Sequence, residues 1–145
     1  MASFSLDQSE IKTYYQAASK QLERELRELE PSLIKLRRTL HKNPEVSGEE
    51  VKTSQLICDT LREIGLEPQL MRNKIGVMVD ITLGTPAPNS PLIAIRADID
   101  ALRITDQKEV DYCSHNPGVG HLCGHDAHTA IAVGTALSVN RIKER

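Results

Sequence analysis

The sequence predicts an α/β fold in which helices pack on a mostly parallel or mixed sheet. Segments with apolar residues every three or four positions predict helices in the first 65 residues. Strand-like segments follow, and residues 92–96 form the continuous apolar run typical of a strand covered on both faces. A further helical segment comes after them, and helices flanking strands in this way are typical of a layered α/β domain.

Size and composition exclude several classes of function. The chain has 145 residues, 39% of them hydrophobic, which is enough for one domain with a core. The net charge of −2 and the absence of Trp argue against a nucleic-acid partner. No apolar run approaches the roughly 18 residues of a membrane helix. Three widely spaced cysteines indicate a reducing, cytoplasmic location.

The first 30 residues predict an amphipathic helix. Ser5 and Gln8 have the spacing of a capping box at its start. One apolar stripe then runs along the segment, and the opposite face is charged. We expect the stripe to pack on the core or on a neighbouring subunit. Its members are Ile11, Tyr15, Ala18, Leu22, Leu26 and Leu29.

Two more helices are predicted before the strands. Pro31 suits the first turn of a helix that ends before Pro44. Residues 47–50 read as a second capping box, opening a helix that Gly65 stops. Its inward residues are predicted to be Val51, Leu56, Ile57, Leu61 and Ile64.

Three strands are predicted between residues 67 and 96. They cover residues 67–72, 75–83 and 92–96, with a proline-rich loop at 84–91. Residues 111–120 read as turns, and 127–137 as a buried helix of small and apolar residues.

A dense group of potential metal ligands lies just before the last helix. Residues 121–128 hold three histidines, Cys123 and Asp126. Gly124 would let a tight turn direct Cys123 and His125 at one ion. Asp126 could instead cap the helix, and His128 would share a helical face with His125. His121 fits a loop histidine, and the metal-free alternative is a buried cysteine beside helix-start histidines.

Residues 96–100 place two carboxylates at the end of the apolar run. Asp98 or Asp100 could accept a hydrogen bond from a metal-bound imidazole and fix its orientation. The alternative is a pair with Arg96 or a turn cap. Structural roles are favoured for His41 and Glu45 at the helix break. Cys58 is predicted to be core, while Cys113 and His115 lie in a polar loop.

Three segments together resemble a family of metal-dependent amidohydrolases that cleave N-acyl amino acids. The segments are 40–50, 95–102 and 118–130, and the Cys-Gly-His-Asp-x-His pattern at 123–128 is specific. The family is the aminoacylase and carboxypeptidase G-like metallopeptidases, including hippurate hydrolases, N-acetyl-diaminopimelate deacetylases and auxin-conjugate hydrolases. The resemblance implies the N-terminal part of a zinc-peptidase-like layered catalytic domain at residues 31–145, after an amphipathic helix at 1–30.

The resemblance also implies roles for particular residues. Cys123 and His125 match two metal ligands. Asp98 matches the aspartate that orients a metal-bound histidine and counts among the catalytic residues. The implied cofactor is a divalent metal, zinc or manganese first, with cobalt or nickel as alternatives. The implied substrate is a small N-acyl amino acid.

Length sets an expectation about activity. Family members are more than twice as long and add paired glutamates, further histidine ligands and a lid domain that dimerises. The sequence therefore predicts the N-terminal portion of such an enzyme, with little activity alone. The other hypothesis is a non-catalytic remnant that binds metal or self-associates through uncovered strand edges.

Overall fold

The structure, a computed structural model, describes residues 7–143 as helices beside a small sheet. Helices α1 (Gln8–Lys42), α2 (Val51–Arg62) and α3 (His125–Lys143) are joined by irregular segments. Strands β1 (Gln69–Leu70) and β2 (Val77–Met78) pair antiparallel. The predicted α/β class is confirmed. None of the helices in the described part of the chain is long and apolar enough to cross a membrane.

Helix α1 is one continuous helix of 35 residues. Asp7 caps it, because its Oδ1 accepts hydrogen bonds from the backbone N–H groups of Ser9 and Glu10 at 2.6 and 2.9 Å. The predicted cap at Ser5 lies outside the described residues. The predicted helix start at Pro31 is wrong, since the helix continues through it. An interior proline costs about 3 kcal/mol, and burial of apolar side chains on both sides of it offsets that cost.

The core lies where the three helices meet. Helix α3 runs antiparallel to α1, because Arg37 contacts Asp126 at one end and Arg141 contacts Glu25 at the other. Gly134 allows the close approach, since a Cβ there would lie 2.7 Å from Cδ1 of Leu33. The buried apolar residues of this core are Leu29, Leu36, Leu40, Ile57, Leu61, Leu66, Val133 and Leu137.

The start of helix α2 is capped by a side chain from the loop that precedes it. The carboxylate of Glu45 accepts hydrogen bonds from the backbone N–H groups of Thr53 and Lys52, at 2.7 and 3.3 Å. The predicted capping box at residues 47–50 is wrong, since the N-cap residue is Glu50 and its side chain makes no cap hydrogen bond. Val51, predicted to point inward, is 43% exposed. A carboxylate at the first turn also interacts favourably with the helix dipole.

The predicted strands are shorter than expected or not formed. Residues 75–83 contribute only Val77–Met78, and 67–72 contribute only Gln69–Leu70. Residues 92–96 form no strand, and Leu92 and Ile93 are 93% and 82% exposed, so the prediction of a doubly covered strand is wrong here. A strand needs hydrogen-bonding neighbours, and the described residues place none beside this segment.

Candidate metal centre

The ligand turn, residues 121–126, includes the first two residues of helix α3. Gly124 adopts φ = 90°, which a residue with a side chain rarely takes. Its carbonyl accepts the backbone N–H groups of Ala127 and His128, both at 3.0 Å, and these bonds begin the helix. The turn therefore needs glycine between its two predicted ligands.

Cys123 and His125 converge on the backbone carbonyl of Asp100. The distance is 3.9 Å from Sγ of Cys123 and 3.1 Å from Nδ1 of His125. Both residues are half-buried. Because Nδ1 of His125 faces the oxygens of Asp100, its Nε2 is the nitrogen with a lone pair available to a metal. A thiolate and an imidazole are the donors that zinc and related ions favour.

The side chain that contacts His125 belongs to Asp100. Its Oδ1 lies 2.9 Å from Nδ1 of His125. Asp98 forms an ion pair with Arg96 instead, which was the alternative raised from the sequence, and its backbone carbonyl accepts the hydroxyl of Thr129 at 3.2 Å. The role predicted for Asp98 therefore stays a prediction, while Asp100 has the geometry of an orienting carboxylate.

The segment carrying these aspartates is held between two others. The N–H of Ala101 donates to the carbonyl of Glu45 at 2.8 Å. Leu102 and Gly120 exchange two backbone hydrogen bonds of 3.1 and 3.0 Å. These contacts bring the end of α1, the aspartate segment and the ligand turn together.

A polar cluster lies behind the ligand turn and consists of the partly exposed Arg37 and the buried side chains of His41, Asp106 and Asp126. Oδ2 of Asp126 lies 2.6 Å from Nδ1 of His41 and 2.7 Å from Nε of Arg37. Nε2 of His41 lies 3.1 Å from Oδ2 of Asp106. His41 and Asp126 are almost completely buried, so their polar atoms depend on partners inside the protein. The structural role predicted for His41 agrees with this position.

The pKa of Asp106 lies well below its ordinary value. Burial alone would raise that pKa, but hydrogen bonds to the carboxylate from the backbone N–H groups of Ser114 and Lys108 outweigh it. The ammonium of Lys108, 3.2 Å from Oδ1, lowers the pKa further. Asp106 is thus held as an anion beside His41.

His121 is buried next to this cluster. Its side chain is 3% exposed, and its ring centroid lies 6.3 Å from that of His41. Both ring nitrogens lack a hydrogen-bond partner among the described residues, as does Oδ1 of Asp126. Burial lowers the pKa of His121, and the negative charge of Asp126 only partly opposes this. His121 lies in a loop, as expected, and its side chain is packed inside the protein.

The remaining candidate residues lie away from Cys123 and His125 or make other contacts. His128 is exposed, with its ring centroid 6.1 Å from that of His125. Asp126 is in the first turn of α3, where it pairs with α1. Cys58 is buried in α2, as predicted. Cys113 and His115 contact Asp106 and Lys42 in the loop before the ligand turn.

The donor set fits part of a metal centre. Cys123 and His125 supply two ligands of suitable chemistry, and Asp100 supplies the carboxylate that orients an imidazole. No three His, Cys, Asp or Glu side chains within residues 7–143 are arranged to hold an ion. The sequence did not predict roles for Arg37 and Asp106. No local pattern marks Asp106 as the partner of His41, which is 65 positions away.

Comparisons with known proteins identify similar proteins that include amidohydrolases. Residues 94–145 match the peptidase family M20/M25/M40. An N-acyl-L-amino acid amidohydrolase of Geobacillus stearothermophilus is 37% identical over 124 residues, covering 86% of this chain and 33% of the relative. An N-acetyl-L-cysteine deacetylase of Bacillus subtilis is 43% identical over 109 residues, covering 75% of this chain and 26% of the relative.

A solved structure is similar over most of the chain. The YXEP protein of Bacillus subtilis, described as a dinuclear metal binding peptidase from the M20 family, aligns with a TM-score of 0.74 at 40% identity. The alignment covers 81% of this chain and 32% of that protein. The chain thus spans about a quarter to a third of the length of these relatives.

Proposed function

This chain is related to the peptidase family M20/M25/M40, and on that premise we propose that it carries part of the active site of a metal-dependent amidohydrolase. The proposed reaction is hydrolysis of the amide bond of an N-acyl amino acid. The proposed ligands of the divalent metal, zinc or manganese first, are Cys123 and His125. One observation carries the proposal: both side chains converge on Asp100, which also contacts the imidazole.

Each residue has a distinct part in the proposed site. A bound divalent metal would polarise the amide carbonyl and lower the pKa of a coordinated water. Cys123 and His125 would hold the ion, with sulfur and nitrogen from one turn. Asp100 would keep Nδ1 of His125 protonated and turn the ring so that Nε2 can bind. Asp98 remains the other proposed active-site carboxylate.

Activity of the 145-residue chain by itself is proposed to be very low. Catalytic zinc sites usually have three protein ligands and an open position for water, and this chain brings two together. The test is amino acid release from N-acetyl and N-benzoyl amino acids by the purified chain with added Zn²⁺ or Mn²⁺. Robust turnover that is lost in Cys123→Ser would overturn the proposed inactivity and support the metal site.

Metal content tests the site directly. The purified chain is expected to bind one Zn²⁺ or Co²⁺ through Cys123 and His125. Elemental analysis after dialysis against the metal would compare the wild type with Cys123→Ser. Equal metal content in both proteins would rule out the proposed ligands.

Self-association is the second candidate function, and exposed apolar side chains favour it. Leu92, Ile93 and Ile95 are 93%, 82% and 65% exposed on a segment with strand-like sequence. Such a segment can pair edge to edge with a second copy. Sedimentation velocity is expected to reveal concentration-dependent oligomers that Ile93→Lys reduces. Met71→Lys, at an exposed apolar residue outside this segment, is the control.

The proposed domain organisation keeps residues 1–30 as an amphipathic helical extension and 31–145 as part of the catalytic domain. The exposed apolar residues of α1 between Ile11 and Leu26 support a separate role for the extension. A chain that starts at residue 31 loses the buried Leu29 and is expected to unfold at a lower temperature but still cooperatively, measured by circular dichroism. A cytoplasmic location is proposed from cysteine usage.

A further inference from the structure

Both ends of the ligand turn contact the same buried side chain, His41. At the C-terminal end, Oδ2 of Asp126 lies 2.6 Å from Nδ1 of His41. At the N-terminal end, the ring of His121 lies 6.3 Å from the ring of His41, centroid to centroid. The two proposed ligands, Cys123 and His125, lie between these contacts in the sequence.

His41 is itself fixed from several directions. Its Nε2 faces Oδ2 of Asp106 at 3.1 Å, and its ring meets that of Tyr112 edge-on, at 5.6 Å between centroids. Each ring nitrogen lies within hydrogen-bonding distance of a carboxylate oxygen, since Nδ1 faces Asp126 and Nε2 faces Asp106. Arg37 holds the same carboxylate of Asp126, with Nε 2.7 Å from Oδ2. A fully buried side chain held by two anions has little freedom to turn.

We propose that His41 is a positioning residue for the metal ligands, acting through Asp126 and His121. It fixes both ends of the ligand turn and so sets the separation and direction of Cys123 and His125. Arg37 supports it by holding the same oxygen of Asp126. The inference rests on the proposed function, because it assigns His41 a role toward a metal held by that turn.

A purely structural role for His41 would make a different prediction. Any contact that joins α1 to α3 would then affect metal binding in proportion to the stability it provides. The ion pair between Arg141 and the buried Glu25, at 3.2 Å, joins the same two helices at their other end. Within the described part of the chain, the ion-pair partners of Arg141 are Glu25 and Glu28 of α1, so Arg141→Met is the matched control.

The experiment measures Co²⁺ affinity of the 145-residue chain by titrating the thiolate-to-cobalt charge-transfer absorption. All titrations are done well below the unfolding temperature of each variant. His41→Gln is expected to weaken Co²⁺ binding about tenfold, at the lower end of the effect of losing a group hydrogen-bonded to a ligand, because His41 contacts the neighbours of the ligands and not the ligands themselves. Arg141→Met is expected to stay within about twofold of wild type. If His41→Gln does not fold, Arg37→Met, at a partly exposed residue, is expected to weaken binding in the same direction.

Hydrogen exchange of the metal-free chain gives a second readout. The amides of Leu122, Ala127 and His128 donate hydrogen bonds within or beside the ligand turn. They are expected to exchange faster in His41→Gln and at the wild-type rate in Arg141→Met. Unchanged exchange in His41→Gln, or equal loss of cobalt affinity in both variants, overturns the inference. If the wild type shows no cobalt absorption that depends on Cys123, the proposed metal site fails, and exchange still decides whether His41 positions the turn.

Discussion

The carboxylate Oδ1 of Asp100 lies 2.9 Å from Nδ1 of His125, and the backbone carbonyl of the same aspartate lies 3.1 Å from that nitrogen. Two oxygens of one residue therefore face one ring nitrogen, which fixes the tautomer with a lone pair on Nε2. This contact joins the end of the predicted apolar strand to the predicted ligand turn. The sequence favoured Asp98 over Asp100 for a functional role, and in the structure Asp100 contacts the His125 ring while Asp98 pairs with Arg96.

Asp100→Asn is expected to weaken Zn²⁺ or Co²⁺ binding about tenfold to a hundredfold, because an amide is a poorer acceptor for the His125 ring than a carboxylate. Asp98→Asn is the matched control, since Asp98 forms an ion pair with the exposed Arg96. Its affinity is expected to stay within about twofold of wild type. Isothermal titration of the metal into each protein measures both effects. A larger loss in Asp98→Asn would give Asp98 the orienting role instead.

Cys123→Ser is expected to abolish the thiolate-to-cobalt absorption, because Cys123 supplies the sulfur of the proposed site. Cys113→Ser tests specificity, since Cys113 is also part-buried and its Sγ faces the backbone carbonyl of Asp106. That variant is expected to bind cobalt as the wild type does. Loss of the absorption in Cys113→Ser and not in Cys123→Ser would move the site to the preceding loop.

The free energy of unfolding is expected to decrease in acid, in part because the carboxylate of Asp106 stabilises the fold less at low pH. Its pKa is lowered in the folded state, so its carboxylate stabilises the fold fully above the ordinary aspartate pKa of about 3.9. As the pH falls below that value, the unfolded chain takes up a proton while the folded chain does not, and the contribution declines.

Asp106→Asn is therefore expected to be destabilised on the order of 1–3 kcal/mol at pH 7, and by less near pH 3. Urea unfolding at a series of pH values measures the difference. Asp59→Asn, at an exposed carboxylate paired with Arg62, is the control and should lie near the wild-type curve throughout. A constant difference between Asp106→Asn and wild type across this range would contradict the role given to the carboxylate.

Ser54→Ala is expected to destabilise the fold by about 1–3 kcal/mol, because it removes the acceptor for a backbone N–H. Oγ of Ser54 is fully buried, donates to the carbonyl of Glu50 at 2.6 Å and accepts the N–H of Gly76 at 2.8 Å. Thr60→Ala removes a hydroxyl that donates within its own helix, to the carbonyl of Leu56, and a change within about 0.5 kcal/mol is expected. Thermal unfolding followed by circular dichroism compares the two, and equal midpoints would contradict the link between α2 and the β1–β2 connection.

The predicted helices differ from the observed ones where distant contacts compete with local signals. The proline at residue 31 and the serine at residue 47 are good local signals for helix starts, yet neither begins a helix. Packing of α1 on α3 carries the first helix through Pro31. The carboxylate of Glu45 reaches the start of α2 from before the turn and replaces the expected cap.

The sequence by itself determined the α/β class, the last helix, and the ligand turn with its glycine, because these depend on residues close together in the chain. Tertiary structure alone decided which aspartate contacts His125 and which residues hold the turn. Asp100 is 25 positions from His125, and His41 is 85 positions from Asp126. No local sequence pattern predicts these two contacts, because they form only when α1, the aspartate segment and α3 pack against one another.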